Sequence, residues 1–175
     1  MLNLQPHKAN KQQIVAPRFH MEIAGKSLKV EFHQNFYSSP NVNESFSHEF
    51  QNWGLWEHDV FEVFLTKNDS GLPYLEMQVS PLNQKFALIV KRPREETEYP
   101  KVCPFRSHAE IKDGEWHSWI EVDLDQIPGD SNVIKGNVHA IIGDTRSFFS
   151  YNVNSEDEPD FHKPELFKEL IKARS

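Results

Sequence analysis

Apolar and polar positions alternate with a period of two over most of the chain. Runs of this kind cover Arg18 to Ala24, Leu28 to Phe36, Val60 to Thr66, Leu72 to Val79, Lys85 to Lys91, Trp116 to Leu124, Val133 to Ile142 and Arg146 to Val153. A period of two sends successive side chains to opposite faces of a strand, so each run predicts a β-strand. The separators carry turn chemistry: KNDSG at 67–71, SPLNQ at 80–84, KDGE at 112–115, DQIPGDSN at 125–132 and GDT at 143–145. Many short strands punctuated in this way predict an all-β antiparallel sandwich or barrel. Segments around 37–54 and 92–109, rich in Pro, Asn, Ser and charge, read as surface loops at its ends. Helix is scarce. HKPELFKELIKAR, from His162 to Arg174, fits a helix with Pro164 in its first turn and Leu166, Leu170 and Ile171 on one side. It fits a single turn followed by a last strand equally well, and both endings stand.

The stretch LWEHDVFEVFLTKND, from Leu55 to Asp69, combines an apolar strand with an aromatic and ionisable front half. Alternation points Phe61, Val63 and Leu65 into the core and Val60, Glu62, Phe64 and Thr66 to the other face. In the next strand Leu75, Met77 and Val79 oppose Tyr74, Glu76 and Gln78 in the same way. If KNDSG closes a hairpin with Thr66 opposite Leu72, Glu62 falls directly opposite Glu76. Two carboxylates with Cβ atoms about 4.5–5.5 Å apart repel each other. Compensation could come from Lys85 or Lys91, from a bound cation, from a polyhydroxylated ligand, or from a shared proton with a raised pKa. The following strand adds Ala87 and Ile89 to this face, and a small Ala beside Gln78 makes the surface concave there. The run 116–124 splits likewise, with Trp116 on the core side and Trp119 among His117, Glu121 and Asp123. A face that mixes Trp, Tyr, Glu and Gln suits a sugar, whose ring offers C–H faces to aromatics and hydroxyls to polar groups.

Composition narrows the classes. The 175 residues predict one domain, 1–175, with 1–12 loosely ordered. Nineteen Lys and Arg against 26 Asp and Glu give a net charge of -7, which offers no general attraction to nucleic acid or to an anionic membrane. A single cysteine, Cys103, excludes an internal disulfide and any multi-Cys metal site. No run of about 18 apolar residues and no signal-peptide pattern is present, so the expectation is a cytoplasmic protein. His48, His58, His117, His139 and His162 form no compact ligand motif, Cys103 has no evident His partner, and no GxSxG occurs. A haem reading has only Met77 and scattered His behind it.

Three segments taken together, LWEHDVFEVFL, YLEMQVSP and SYNVNSEDEPDFHKPELF, resemble the family 9 carbohydrate-binding modules and their stand-alone relatives among the DOMON-like sandwiches. The resemblance runs in segment order from about 18 to 173 and implies a β-sandwich of jelly-roll or immunoglobulin-like type, with a final strand after DFHKPELF. It also implies a sugar end held between two aromatic rings, with a Glu six residues after the first. Carried onto this chain, Trp56 and Tyr151 would form the clamp and Glu62 would accept a hydroxyl. Tyr151 replaces the usual Trp, and Gln78 stands where binding members carry an Arg. A straight strand would separate Trp56 from Glu62 by about 20 Å, so Glu57-His58-Asp59 must bulge or loop back. Calcium is bound by some members, and SEDEPD at 155–160 could supply oxygens, although its spacing is not that of an EF-hand. Binding members are mostly secreted, in contrast to the cytoplasmic expectation.

The leading expectation is therefore carbohydrate binding without turnover by Trp56, Glu62, Gln78 and Tyr151, helped by Glu76 and Trp119, with no cofactor. Two alternatives stand beside it: a glycoside-processing enzyme using Glu62 and Glu76, and a protein-interaction or scaffold module that has lost sugar binding.

Overall fold

The computed structural model describes residues 1–35, 37 and 39–173. Two antiparallel sheets pack face to face. The smaller one orders its five strands as β1 (Leu2–Asn3), β3 (Arg18–Ala24), β4 (Ser27–Asn35), β10 (Glu115–Asp123) and β9 (Phe105–Lys112). The larger one runs β2 (Gln5–Pro6), β12 (Ser147–Ser150), β11 (Val133–Ile142), β5 (Val60–Thr66), β6 (Tyr74–Val79), β7 (Lys85–Arg92) and β8 (Glu96–Glu98), with β13 (Lys168–Lys172) also paired to β11.

Strict alternation in β4 and β10 buries one face and leaves the other half-exposed, as their sequences require. Phe32 of β4 stacks on Phe61 of β5 at 4.7 Å and meets Trp116 edge-on at 4.8 Å. Phe19, Val30, Ile120, Val63, Met77 and Val138 complete the seam between the sheets. β5 and β6, in contrast, are buried on both faces. Their second face, polar by sequence, lies under a lid of Phe46, Leu55, Trp56, Phe148, Phe161 and Phe167, which forms a separate apolar cluster. Gly136 in β11 permits a close approach to its neighbour, since a Cβ there would sit 1.9 Å from the Phe64 carbonyl oxygen.

Several expectations change. Glu96–Glu98 and Phe105–Lys112 are strands rather than parts of a loop. Within residues 1–12, Leu2–Asn3 pairs with β3, Gln5–Pro6 pairs with β12, and Leu4 between them is fully buried in the core. The chain ends in a 3-10 turn, Pro164–Leu166, followed by β13, not in a helix. The ends expected at Phe36 and Arg174 lie outside the described residues.

Hairpin registers differ too. Glu62 pairs with Gln78, and Glu76 pairs with Phe64, so the two glutamates are diagonal neighbours rather than directly opposite. The reason is a longer connection: Thr66 reaches Pro73 only through its hydroxyl, which donates to the Pro73 carbonyl at 2.7 Å, and backbone pairing begins at Leu65 with Leu75. That shift of two keeps each side chain on its expected face. The next turn is off by one. Val79 pairs with Lys85, so Ala87 falls opposite Met77 on the core side, and Phe86, Leu88 and Val90 join the glutamate face.

Candidate functional site

The covered face of β5, β6 and β7 is the floor of a cavity of about 350 Å³, within the range of small-molecule sites. Glu62, Glu76 and Gln78 lie on that floor, and Leu88 and Val90 provide its apolar part.

Trp56 enters the wall because the chain turns back before β5. Gly54 takes a positive φ of 86°, and Leu55–Glu57 then forms one 3-10 turn, with the Glu57 amide donating to the Gly54 carbonyl at 3.0 Å. This turn, rather than a bulge, brings the indole over the sheet. Asn52 holds the preceding loop down by donating to the carbonyls of Ser47 at 2.8 Å and Lys85 at 3.2 Å. Trp53 meets Trp56 edge-to-face at 4.8 Å and is 62% exposed, so the rim carries an open indole. Arg146 ties the turn to the opposite side: its Nη2 donates to the Trp56 carbonyl at 2.9 Å, and its guanidinium lies 5.2 Å from the Phe148 ring.

The other wall is the segment 159–162. Phe161 stacks on His139 at 4.1 Å and presents its edge to Phe148. Asp160 accepts from the His162 amide at 3.0 Å and pairs with Arg94 at 3.0 Å, which fixes the loop across the mouth. The Tyr74 hydroxyl and His162 Nδ1 are hydrogen-bonded at 2.6 Å beneath it.

The electrostatics of the floor are unusual. Glu62 and Glu76 are both 2% exposed, and neither forms an ion pair with Lys or Arg among the described residues. Lys91, a candidate counter-ion, pairs instead with Glu98 at 3.1 Å and Glu96 at 3.8 Å. Desolvation raises both carboxyls. It carries Glu76 to about 7, with the Gln78 amide, 2.7 Å from Glu76 Oε1, pulling the other way. Glu62 rises well above the ordinary carboxylate range through burial and the charge of Glu76, with Arg146 opposing in part. The pair therefore retains a proton near neutral pH. His139, opposite Glu62 on β11, is held neutral by burial and by His162. Burial also lowers His162, so its 3.9 Å approach to Glu76 is not an ion pair.

Four cavity-lining groups each keep a buried atom without a protein partner: Glu62 Oε1, Glu76 Oε2, Gln78 Oε1 and Arg146 Nε. Buried polar atoms are nearly always paired, so their concentration beside one cavity points to hydrogen bonding with water or a ligand that enters it. The set comprises acceptors, a donor and a carboxyl able to do either, and it matches a ligand rich in hydroxyls.

Of the six expected residues, Trp56, Glu62, Glu76 and Gln78 come together here. Tyr151 and Trp119 do not line this cavity. Tyr151 packs edge-on against Phe19 at 5.2 Å, at the main core. Trp119 lies on the smaller sheet, with Lys29 5.4 Å above its ring. Sequence reasoning missed Trp53, Arg94, Arg146, Phe148 and Phe161 as lining residues. Pairing β11 with β5 in register would have placed His139 beside Glu62, and the alternation in 146–150 already put Arg146 and Phe148 on one face. In the acidic run, Glu156 pairs with Lys163 at 2.8 Å, Asp157 with Lys8 at 2.7 Å and Asp160 with Arg94.

No protein-family model and no curated protein matches the sequence significantly. Solved structures do. A candidate carbohydrate-binding protein from Bacteroides uniformis superposes with a TM-score of 0.73 at 16% identity, covering 95% of this chain and 84% of that one. A family 9 carbohydrate-binding module from Caldicellulosiruptor kristjanssonii in complex with glucose gives 0.63 at 18% identity, over 91% of this chain and 78% of that one. The complex of such a module from the same organism with cellotriose gives 0.66 at 16% identity, over 99% and 84%. Likenesses at this level of identity speak to architecture, and the architecture of this chain is a β-sandwich of the family 9 carbohydrate-binding-module type.

Proposed function

We propose that the protein binds a carbohydrate, without turning it over, in the cavity between Trp56 and the 159–162 segment. The observation that carries this reading is the pairing of chemistries in one cavity: unpartnered oxygens and a guanidinium nitrogen on the floor, and indole and phenyl rings at the walls. Glu62, Glu76, Gln78 and Arg146 exchange hydrogen bonds with hydroxyls, while Trp56, Trp53 and Phe161 contact the apolar ring faces. The volume suits one or two sugar rings, and Trp53 at the rim would meet whatever extends outward. The same fold holds glucose and cellotriose in the modules compared above, which makes these two the first ligands to test.

Binding is favoured over the glycosidase reading by the position of the acids. Both glutamates sit side by side on the floor rather than facing each other across a gap that could receive a scissile bond. Titration of intrinsic tryptophan fluorescence with mono- and oligosaccharides tests the proposal. A saturable change that disappears in Trp56→Ala supports it, and a flat response to the whole panel counts against it. Release of product from aryl glycosides, abolished by Glu62→Gln, would instead favour catalysis.

A further inference from the structure

The opposite outer surface of the sandwich carries a second cluster that the cavity does not use. Glu31 and His33 are two residues apart on β4 and share its outer face, and His117 lies directly opposite His33 on β10. The two imidazoles stack at 4.5 Å with 26° between their planes. One ligand atom from each of Glu31, His33 and His117 falls within 4.8 Å of the others. We propose that these three side chains form a binding site for a divalent transition metal ion.

Second contacts favour this arrangement. The Nδ1 atom of each histidine is already turned to a carboxylate, Glu115 at 2.5 Å from His33 and Glu110 at 3.7 Å from His117. The Glu115 carboxylate behind His33 orients that ring and leaves its Nε2 for a metal, whereas Glu110 lies near His117 without a hydrogen bond. Glu31 gives one oxygen to Lys29 at 2.5 Å and keeps the other. The ligands are partly sheltered, with side-chain exposures of 29% for Glu31, 19% for His33 and 28% for His117. Two nitrogens and one carboxylate suit zinc, cobalt or nickel, not the all-oxygen preference of calcium and magnesium. Tetrahedral ligation brings donor atoms to roughly 3.3 Å from one another, a contraction that side-chain rotation on an open sheet face can supply. Three protein ligands leave the solvent side for water or an added fourth donor.

The test is calorimetric titration of the full chain, previously treated with a chelator, with zinc chloride, and a parallel titration with cobalt followed by visible absorption. The expected result is one equivalent bound, with the intense absorption of low-coordinate cobalt. Glu31→Gln and His117→Ala should each weaken binding roughly tenfold or more, and Glu115→Gln should weaken it less. His48→Ala, which removes an exposed imidazole elsewhere, should leave it unchanged. Glu31→Gln preserves shape, so it decides the matter even if His117→Ala folds poorly. Absence of stoichiometric binding to the wild type, or binding that survives Glu31→Gln and His117→Ala with equal strength, overturns the site. Sugar titrations of the same variants should be unaffected, which keeps this outcome separate from that of the cavity.

Discussion

Glu76→Gln should make the free protein more stable in mild alkali while changing little in acid. The substitution retains the acceptor for the Gln78 amide, so the shape and the internal hydrogen bond of the floor persist. What it removes is the titration. In the folded protein the Glu76 carboxyl keeps its proton up to about 7, whereas in the unfolded chain it loses it near 4.5. Between those values the folded state binds the extra proton, so rising pH favours unfolding: the contribution is fully present below 4.5 and is lost as pH passes through 7. At roughly 1.4 kcal/mol per pH unit, the gap is on the order of 3 kcal/mol. Removing the Glu76 charge also lowers Glu62, which adds in the same sense. His139 and His162 work oppositely, because burial lowers their pKa and the unfolded chain takes up protons first as the solution is acidified. The wild-type profile therefore mixes the two, and the difference between wild type and variant isolates the glutamate. Urea unfolding of both proteins from pH 5 to pH 8 provides it. The variant should gain by about 3 kcal/mol relative to wild type across that range. A difference that stays constant with pH would refute the claim that these acids are buried without a counter-ion.

Other outcomes follow from named contacts. Tyr151→Ala should cost about 2 kcal/mol of stability through its packing on Phe19, and should leave any sugar-induced fluorescence change intact, since the ring lies outside the cavity lining. Asp59→Ala should cost about 3 kcal/mol or more in urea unfolding, because the carboxylate accepts from the Asn41 amide at 2.9 Å, the Gly143 amide at 2.5 Å and the Tyr37 hydroxyl, and all three donors would lose their buried partner. Arg146→Ala should cost only about 1 kcal/mol of stability but weaken the ligand response, by releasing the Trp56 turn and taking an opposing charge from the neighbourhood of Glu62.

The period-two pattern made most of the longer strands of both sheets legible, because a half-buried strand writes its two faces into the sequence, while the short Leu2–Asn3, Gln5–Pro6 and Glu96–Glu98 were not read. Phe105–Lys112 escaped: its inward positions after Phe105 are Ser107 and Ala109, too small to mark a strand after the Pro-rich loop, and its one further large apolar residue, Ile111, is exposed. Which residues shared the glutamate face was also legible, since an error of two in register preserves parity. Where the error was one, at the turn 80–84, Ala87 went to the wrong side. The lid over the face was not legible. Trp53, Phe148 and Phe161 reach it from segments far apart in the chain, and no local pattern tells a loop aromatic that covers a sheet from one that faces water. The Tyr151 placement came from a likeness of motif order, and the strand β12 and the turn after it send that ring to Phe19 instead.

The most direct test of the central claim is calorimetry of glucose, cellotriose and a wider set of mono- and disaccharides against the wild type and Glu62→Gln. Saturable one-to-one binding of at least one sugar, weakened tenfold or more when the Glu62 carboxyl becomes an amide, is the predicted result, at roughly the cost of one buried hydrogen bond. No heat of binding from any sugar, or an affinity indifferent to Glu62→Gln, would contradict it.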